Sequence, residues 1–153
     1  HLVAIKSGEK ASFDGAGKAT LAELKKMRLD VTGVVVNDNS GLSPTSRLRA
    51  SLLNRLLVQV ASCRGCALAS ITSGFPVSAL DGTLGDRMHG SAAAGKVRAK
   101  TGTLTDATSL SGFLQTKSGS LLTFSILVDG IPEGSFASAK QEIDGFLASV
   151  AGT

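Results

Sequence analysis

Four consecutive residues in the second half of the chain, Lys100-Thr101-Gly102-Thr103, combine a cation, two hydroxyls and a residue without a side chain. A lysine ammonium offers a compact positive charge and three hydrogen-bond donors, and a hydroxyl beside it can share the same anion. Gly102 leaves room for another backbone, so a peptide-like ligand can lie along this segment and pair with it. The sequence therefore predicts a site that receives a carboxylate and an amide together.

The residues around this tetrad are typical of strands bounded by turns, and we predict three strands, at 96–104, 108–117 and 121–129. Lys117-Ser118-Gly119-Ser120 is predicted to be the hairpin turn between the last two. Apolar residues at helical spacing then predict a closing helix that runs to about Val150. A bland interpretation of Lys100 also exists, because edge strands often carry a solvated lysine that prevents aggregation.

Upstream, the segment from His1 to Lys10 is predicted to be the tail of an element. A helix is predicted to begin at Ser12-Phe13-Asp14-Gly15, with Asp14 as its candidate N-cap, and to continue to about Arg28. The β-branched residues from Val31 to Val36 then predict a short strand.

The strongest helical pattern in the chain is the recurrence of apolar residues from Leu48 to Val60. This pattern predicts a helix that begins at Pro44 or Thr45 and ends near Cys63. A second, short helix is predicted from Ala67 to Ser73. The elements together predict one α/β domain, or part of one, without repeats or linkers.

The composition excludes several classes of function. The 153 residues suffice for one modest core, and the 42% hydrophobic content argues against a disordered chain. The net charge of +4 is mild and no basic patch is interleaved with aromatic residues, so we expect no nucleic-acid partner. No apolar run approaches the length of a membrane span, so we expect no transmembrane segment. A start at His1 without Met or signal peptide is typical of a processed or truncated product.

The Lys-Thr-Gly segment, in its surroundings, resembles the third motif of the penicillin-recognising serine enzymes. Three longer stretches, which together with their surroundings extend over nearly the whole chain, are similar to low-molecular-mass D-alanyl-D-alanine carboxypeptidases and endopeptidases of the S13 peptidase type. They are Val34–Pro44, Ser73–Met88 and Val97–Leu114. One departure lies near the first of them, because Ser46 stands where the family more often has Asn.

This resemblance implies an α/β fold in which helices sandwich an antiparallel sheet, with residues 1–153 as the C-terminal portion of one transpeptidase-like domain. It implies that Lys100 and Thr101 bind the terminal carboxylate of the substrate, that Gly102 allows its close approach, and that Leu104 lies beside its side chain. The backbone N–H of Thr103 would form half of an oxyanion hole. The implied ligands are peptidoglycan peptides and β-lactams, the implied location is extracytoplasmic, and neither metal nor cofactor is implied.

The nucleophile of this superfamily lies in a Ser-x-x-Lys motif at the start of a helix, so that the lysine can activate the serine hydroxyl. The one Ser-x-x-Lys in this chain is Ser7–Lys10, where neighbouring glycines disfavour a helix, and no Ser-x-Asn is present. We therefore expect the chain to be inactive alone and to need an N-terminal companion segment that carries the nucleophile. The alternative is a non-catalytic domain that binds cell-wall peptides or another protein.

Two further groups of residues have structural and functional interpretations. Cys63 and Cys66 could form a local disulfide, a redox pair or two small core residues, and we place the disulfide slightly ahead. Asp81, Asp86, Arg87 and His89 could suggest acid–base chemistry. We favour turn chemistry at Asp81-Gly82, a structural Asp–Arg pair and an exposed His89.

Overall fold

The segment that carries the Lys-Thr-Gly residues forms an antiparallel sheet in the computed structural model, which describes residues 2–63 and 65–153. Three strands form, as predicted, and they lie in the order β1-β2-β3. Their bounds are Val97–Thr103 for β1, Thr108–Gln115 for β2 and Leu121–Val128 for β3. The predicted hairpin turn also forms, because Thr116 and Ser120 close it with a backbone hydrogen bond of 2.9 Å.

Four α-helices and two 3₁₀ helices complete the described elements. The α-helices are α1 (Leu2–Lys6), α2 (Phe13–Lys26), α3 (Ala50–Ser62) and α4 (Phe136–Ala151). The 3₁₀ helices are Ala67–Gly74 and Gly82–Leu84. The chain divides into two compact units, His1–Arg55 and Leu56–Thr153, so the prediction of a single domain stays a prediction.

One face of the sheet in the second unit packs against α4. Because side chains alternate along a strand, Val97 of β1 and Leu110 and Leu114 of β2 all point to this face, where they are fully buried. Ile143 and Leu147 of α4 join the same cluster, since they lie one helical turn apart. Burial of a side chain of this size stabilises the fold by roughly 1.5–3 kcal/mol.

The opposite face of the sheet packs against helical residues from the start of the second unit. Phe113 of β2 is buried there with Leu57 and Val60 of α3. Its ring also stacks on Phe75, with 6.2 Å between the ring centroids. Helical elements therefore cover both faces of the antiparallel sheet, which confirms the predicted architecture of a sheet sandwiched by helices.

In the first unit, α1 packs against α2, with Ala4, Ala16 and Ala19 buried. The prediction of Asp14 as N-cap is wrong, because the hydroxyl of Ser12 accepts the N–H of Gly15 at 3.0 Å and α2 begins at Phe13. Position 1 lies outside the described residues, so the predicted tail from His1 can be compared only over Leu2–Lys10, where α1 forms.

The strand predicted from Val31 to Val36 is wrong. The carboxylate of Asp30 accepts the backbone N–H of Thr32 at 2.9 Å, and Val34 donates to the carbonyl of Val31, so the chain turns instead of extending. An isolated bridge between Val35 and Arg47 remains.

The same bridge explains the late start of α3. Arg47 donates its N–H to Val35 and accepts one in return, at 2.8 and 2.9 Å, so this part of the chain is extended. The predicted start at Pro44 or Thr45 is therefore wrong, and α3 begins at Ala50. Its end at Ser62 agrees with the prediction.

Candidate functional site

The four residues Lys100 to Thr103 lie in β1, which is one of the two edge strands of the sheet. At the start of β1 the outer side is occupied, because Ala99 donates its N–H to the carbonyl of Pro76 at 3.0 Å and Val77 pairs with Arg98. No described residue makes a backbone bridge to the outer side of β1 beyond Ala99. The edge is therefore open where the candidate residues lie.

The direction of the Thr103 N–H follows from the register of the sheet. Successive N–H groups along an antiparallel strand point alternately towards the partner strand and away from it. Ala99 points its N–H outwards, to Pro76, while Leu104 donates to Ala107 across the loop that joins β1 to β2. By this alternation the N–H groups of Thr101 and Thr103 also point outwards, to the open edge.

The side chain of Lys100 is exposed, and its ammonium donates to the carbonyl of Thr101 at 2.5 Å. Within the described part of the chain it forms no ion pair. Lys100 lies opposite Ser111 of β2, whose hydroxyl is 2.7 Å from that of Ser125 in β3. The ammonium therefore has donors left for an anion, and a row of hydroxyls extends from it across the sheet.

Gly102 has a reason within the fold for its missing side chain. A Cβ at this position would collide with the hydroxyl of Ser109, the residue of β2 that pairs with Gly102. The hydroxyl of Thr108 donates to the carbonyl of Gly102 at 3.3 Å. Any substitution would therefore displace the Ser109 side chain, whether or not a ligand binds. The close approach of a ligand backbone, which the sequence also indicates as a reason for this glycine, stays a prediction.

Leu104 is half-buried at the start of the loop between β1 and β2. The loop is held by the Leu104–Ala107 hydrogen bond of 2.9 Å and by the N–H of Ile131, which donates to Asp106 at 2.8 Å. Leu104 therefore follows the open edge directly on a tied-down loop.

The structure adds Thr83, which the sequence reasoning missed. Its hydroxyl accepts the hydroxyl of Thr101 at 3.0 Å. Thr83 lies in the 3₁₀ helix Gly82–Leu84, 18 positions before its partner, and no spacing rule links positions so far apart. The sequence pattern Asp81-Gly82 predicts a tight turn beside Thr83, but it does not indicate which residue Thr83 contacts.

The turn chemistry predicted at Asp81-Gly82 is confirmed. The carboxylate of Asp81 accepts the N–H of Val77 at 2.6 Å, and Gly82 has a φ of 52°. His89 is exposed, as predicted. The predicted Asp–Arg pair exists, but Arg87 pairs with Asp144 of α4 and not with a loop aspartate.

Ser7 and Lys10 lie beyond the end of α1, which stops at Lys6. The N–H of Ser7 closes the last turn by donating to Val3 at 3.1 Å, and Lys10 precedes the cap of α2. No helix begins at Ser7, so these residues lack the placement that a Ser-x-x-Lys nucleophile needs. Cys63 and Cys66 form a disulfide, which agrees with the favoured interpretation.

A cavity of about 470 Å³ lies near the start of β1, and the residues lining it include Lys96, Arg98 and Phe113. Arg98 is occupied there, because it donates to the carbonyls of Thr72 and Phe75 at 3.4 and 3.2 Å. No residue from Lys100 to Leu104 lines this cavity. The candidate site is an open strand edge and not this cavity.

No single helix in residues 2–63 and 65–153 has the length and apolar character needed to cross a membrane. One sharply bent pair of helices, Ala50–Ser62 with Ala67–Gly74, would reach the required length and apolar content together, by length and composition only.

The chain is similar in sequence to several bacterial carboxypeptidases. It is 37% identical over 129 residues to carboxypeptidase DacB of Mycolicibacterium smegmatis. The aligned region covers 82% of this chain and 28% of that protein. It is 35% identical over 134 residues to the D-alanyl-D-alanine carboxypeptidase of Actinomadura sp., and that aligned region covers 84% of this chain and 24% of the relative. The chain thus spans only about a quarter of the length of these relatives.

Solved structures show the same fold. Penicillin binding protein 4 from Haemophilus influenzae, complexed with a β-lactam, matches with a TM-score of 0.84 and 24% identity over 97% of this chain and 35% of that one. A predatory endopeptidase from Bdellovibrio bacteriovorus matches with a TM-score of 0.69 and 21% identity, over 98% of this chain and 44% of that one. The predicted resemblance to penicillin-binding domains is therefore confirmed at the level of fold.

The sequence profile of one peptidase family matches residues 1–150, which is nearly the whole chain. This match agrees with the resemblance carried by the Lys-Thr-Gly segment and its surroundings. The chain belongs to the D-Ala-D-Ala carboxypeptidase 3 (S13) family.

Proposed function

We propose that this chain is the C-terminal part of a serine-type D-Ala-D-Ala carboxypeptidase that trims peptidoglycan stem peptides. The observation that carries the proposal is the open edge of β1, which presents Lys100 and outward N–H groups in a chain of the S13 family. Membership of this family and relatives named as D-alanyl-D-alanine carboxypeptidases support the reaction class. An extracytoplasmic location follows from a cell-wall substrate.

In this proposal the substrate peptide adds to the open edge of β1 as a further strand. The outward N–H of Thr101 is available for backbone pairing, and Gly102 puts no side chain in the way. The ammonium of Lys100 and the hydroxyl of Thr101 bind the terminal carboxylate of the peptide. A charged donor and a neutral one on the same anion favour a substrate with a free C-terminus over an internal peptide bond.

The reaction forms an acyl-enzyme through a serine that the companion segment supplies. The serine oxygen attacks the carbonyl carbon of the penultimate D-alanine and gives up its proton, which passes to the nitrogen of the terminal D-alanine as the C–N bond breaks. Water later hydrolyses the ester and restores the serine hydroxyl. The N–H of Thr103 stabilises the oxyanion together with the N–H of the serine itself. A β-lactam acylates the same serine through its own strained amide.

Labelling with a fluorescent penicillin tests the proposal. This chain alone should remain unlabelled, because Ser7 follows the end of α1 and has no activating lysine on a helical turn. The same chain with its companion segment should carry one label per complex, on the companion serine. Stoichiometric acylation of Ser7, or no labelling of the complex, would contradict the proposal.

A second candidate function is a non-catalytic domain that binds cell-wall peptides or another protein along the same edge. The open edge of β1 would serve such a domain equally well, because pairing of a peptide with a strand edge needs no nucleophile. Purification from native extract separates the two candidates. A co-purifying segment that contains Ser-x-x-Lys and Ser-x-Asn supports the enzyme, whereas a chain that is isolated alone and binds D-Ala-D-Ala peptides without cleaving them supports the binding domain.

A further inference from the structure

The hydroxyl of Thr101 donates to the hydroxyl of Thr83 at 3.0 Å. Thr101 is half-buried and Thr83 is exposed, so the pair lies at the protein surface beside the open edge of β1. The staggered χ1 rotamers of a threonine point its hydroxyl in different directions, and a hydrogen bond can favour one of them. The contact with Thr83 selects the rotamer of the residue that is proposed to bind the carboxylate.

The loop that carries Thr83 is fixed at several points. Leu84 is fully buried in the sheet core, and its carbonyl accepts the N–H of Ala79 at 3.0 Å. Asp81 accepts the N–H of Val77, which itself is bridged to β1. Ala79 has a φ of 58°, a conformation that a residue with a Cβ adopts only when its surroundings impose it. Thr83 is therefore presented from a rigid frame.

Hydroxyl chemistry gives this pair a direction. A hydroxyl has one O–H to donate and two lone pairs to accept with. When Thr101 donates its single O–H to a carboxylate, its bond with Thr83 persists if Thr83 becomes the donor. The two hydroxyls then form a chain that points at the anion, and each bond in such a chain strengthens the next.

We infer that Thr83 is a positioning residue. It holds the hydroxyl of Thr101 towards the carboxylate, and when the carboxylate is bound, Thr83 donates its own O–H to the hydroxyl of Thr101. The inference rests on the proposed function for the role of Thr101 in binding. It adds a residue outside the Lys-Thr-Gly segment to the recognition of a free C-terminus. Thr83 itself does not contact the substrate.

The first experiment measures the rotamer of Thr101 in this chain, by three-bond couplings from its methyl carbon to the backbone nitrogen and carbonyl carbon. The wild-type chain should show a single rotamer. Thr83→Val keeps the shape but removes the hydroxyl, so the couplings should become averaged, and Thr83→Ser should restore them. Thr123→Val in β3 is the matched control and should leave Thr101 unchanged. Unaltered couplings in Thr83→Val would overturn the inference.

The second experiment measures acylation by a β-lactam in the complex of this chain with its companion segment. Loss of one neutral hydrogen bond should lower the acylation efficiency of Thr83→Val by roughly 3–10-fold. The loss should appear in substrate KM more than in kcat, and Thr83→Ser should rescue it. In a Thr101→Val background, Thr83→Val should have no further effect, because Thr83 acts through Thr101.

The outcomes separate this inference from the proposed function. An effect of Thr83→Val that persists in the Thr101→Val background overturns the positioning role, since it reflects the stability of the loop. No effect of Thr83→Val, when Lys100→Ala and Thr101→Val do weaken acylation, also overturns it and leaves the proposed function standing. If Lys100→Ala and Thr101→Val change nothing, the proposed function fails, and so does the substrate role of Thr83.

Discussion

Arg87 and Asp144 form a two-pronged salt bridge that ties the loop after the 3₁₀ helix Gly82–Leu84 to α4. The Nε of Arg87 donates to Asp144 at 3.1 Å and an Nη at 2.6 Å. The two side chains are only 15% and 20% exposed. Bidentate geometry and partial burial distinguish this pair from the surface ion pairs of the chain, and it anchors the loop from which Thr83 is presented.

Asp144→Asn should therefore destabilise the protein. It leaves a mostly buried guanidinium without its counter-charge, which costs several times more than the loss of an exposed pair. We expect a loss of about 1–3 kcal/mol in the free energy of unfolding, measured by urea denaturation. The matched control is Glu23→Gln, which breaks the exposed pair with Lys26 and should cost less than about 1 kcal/mol. Equal losses in the two variants would show that the Arg87 pair is an ordinary surface contact.

Gly112→Ala should destabilise the sheet. A Cβ at this position in β2 would overlap the backbone carbonyl of Arg98 and the side chain of Ala99 in β1, and backbone atoms cannot move aside cheaply. We expect overpacking to cost about 1–3 kcal/mol, seen as a lower urea midpoint. Gly145→Ala is the control, because the new Cβ in α4 meets nothing within 4 Å and should stabilise the helix by up to about 1 kcal/mol.

How far the sequence predicts the structure depends on the range of the interactions involved. The strands of residues 97–128 were predictable because their turns and side-chain alternation are local. The segment from Val31 failed because one side chain, Asp30, competes for a backbone N–H and turns the chain. The contact between Thr83 and Thr101 could not be predicted, since it exists only after a loop folds back onto β1.

Asp30 should titrate well below an ordinary aspartate. The backbone N–H of Thr32, and then the hydroxyl of Thr32 and the guanidinium of Arg49, lower the pKa of Asp30 from 3.8 to about 2. A lowered pKa stabilises the folded form above pH 3.8, and this contribution disappears as the pH falls through about 2. Carbon-detected NMR of the Asp30 carboxyl should give a midpoint near 2. A midpoint near 3.8 would mean that these hydrogen bonds to Thr32 and Arg49 do not persist in solution.

Asp30→Asn tests the same contact by a second measurement. The variant keeps an acceptor for the Thr32 N–H but loses the charge, so the part of the acid dependence of stability that comes from this site should vanish. Asp129→Asn is a suitable control, because that carboxylate accepts the N–H of the next residue, Gly130, and forms no ion pair within residues 2–63 and 65–153.

Under the proposed function, Lys100→Ala should weaken acylation by a β-lactam in a complex of this chain with the proposed companion segment. A charge-assisted hydrogen bond to a carboxylate contributes roughly 1.5–3 kcal/mol, which corresponds to an acylation efficiency about 10–150-fold lower in a stopped-flow measurement. Lys100→Arg keeps the charge but replaces a compact ammonium by a planar fork, so we expect partial rescue. The control is Lys117→Ala, which removes another exposed lysine, in the turn between β2 and β3, and should change little. Equal effects at both positions would leave Lys100 as an edge-strand charge whose role is solubility.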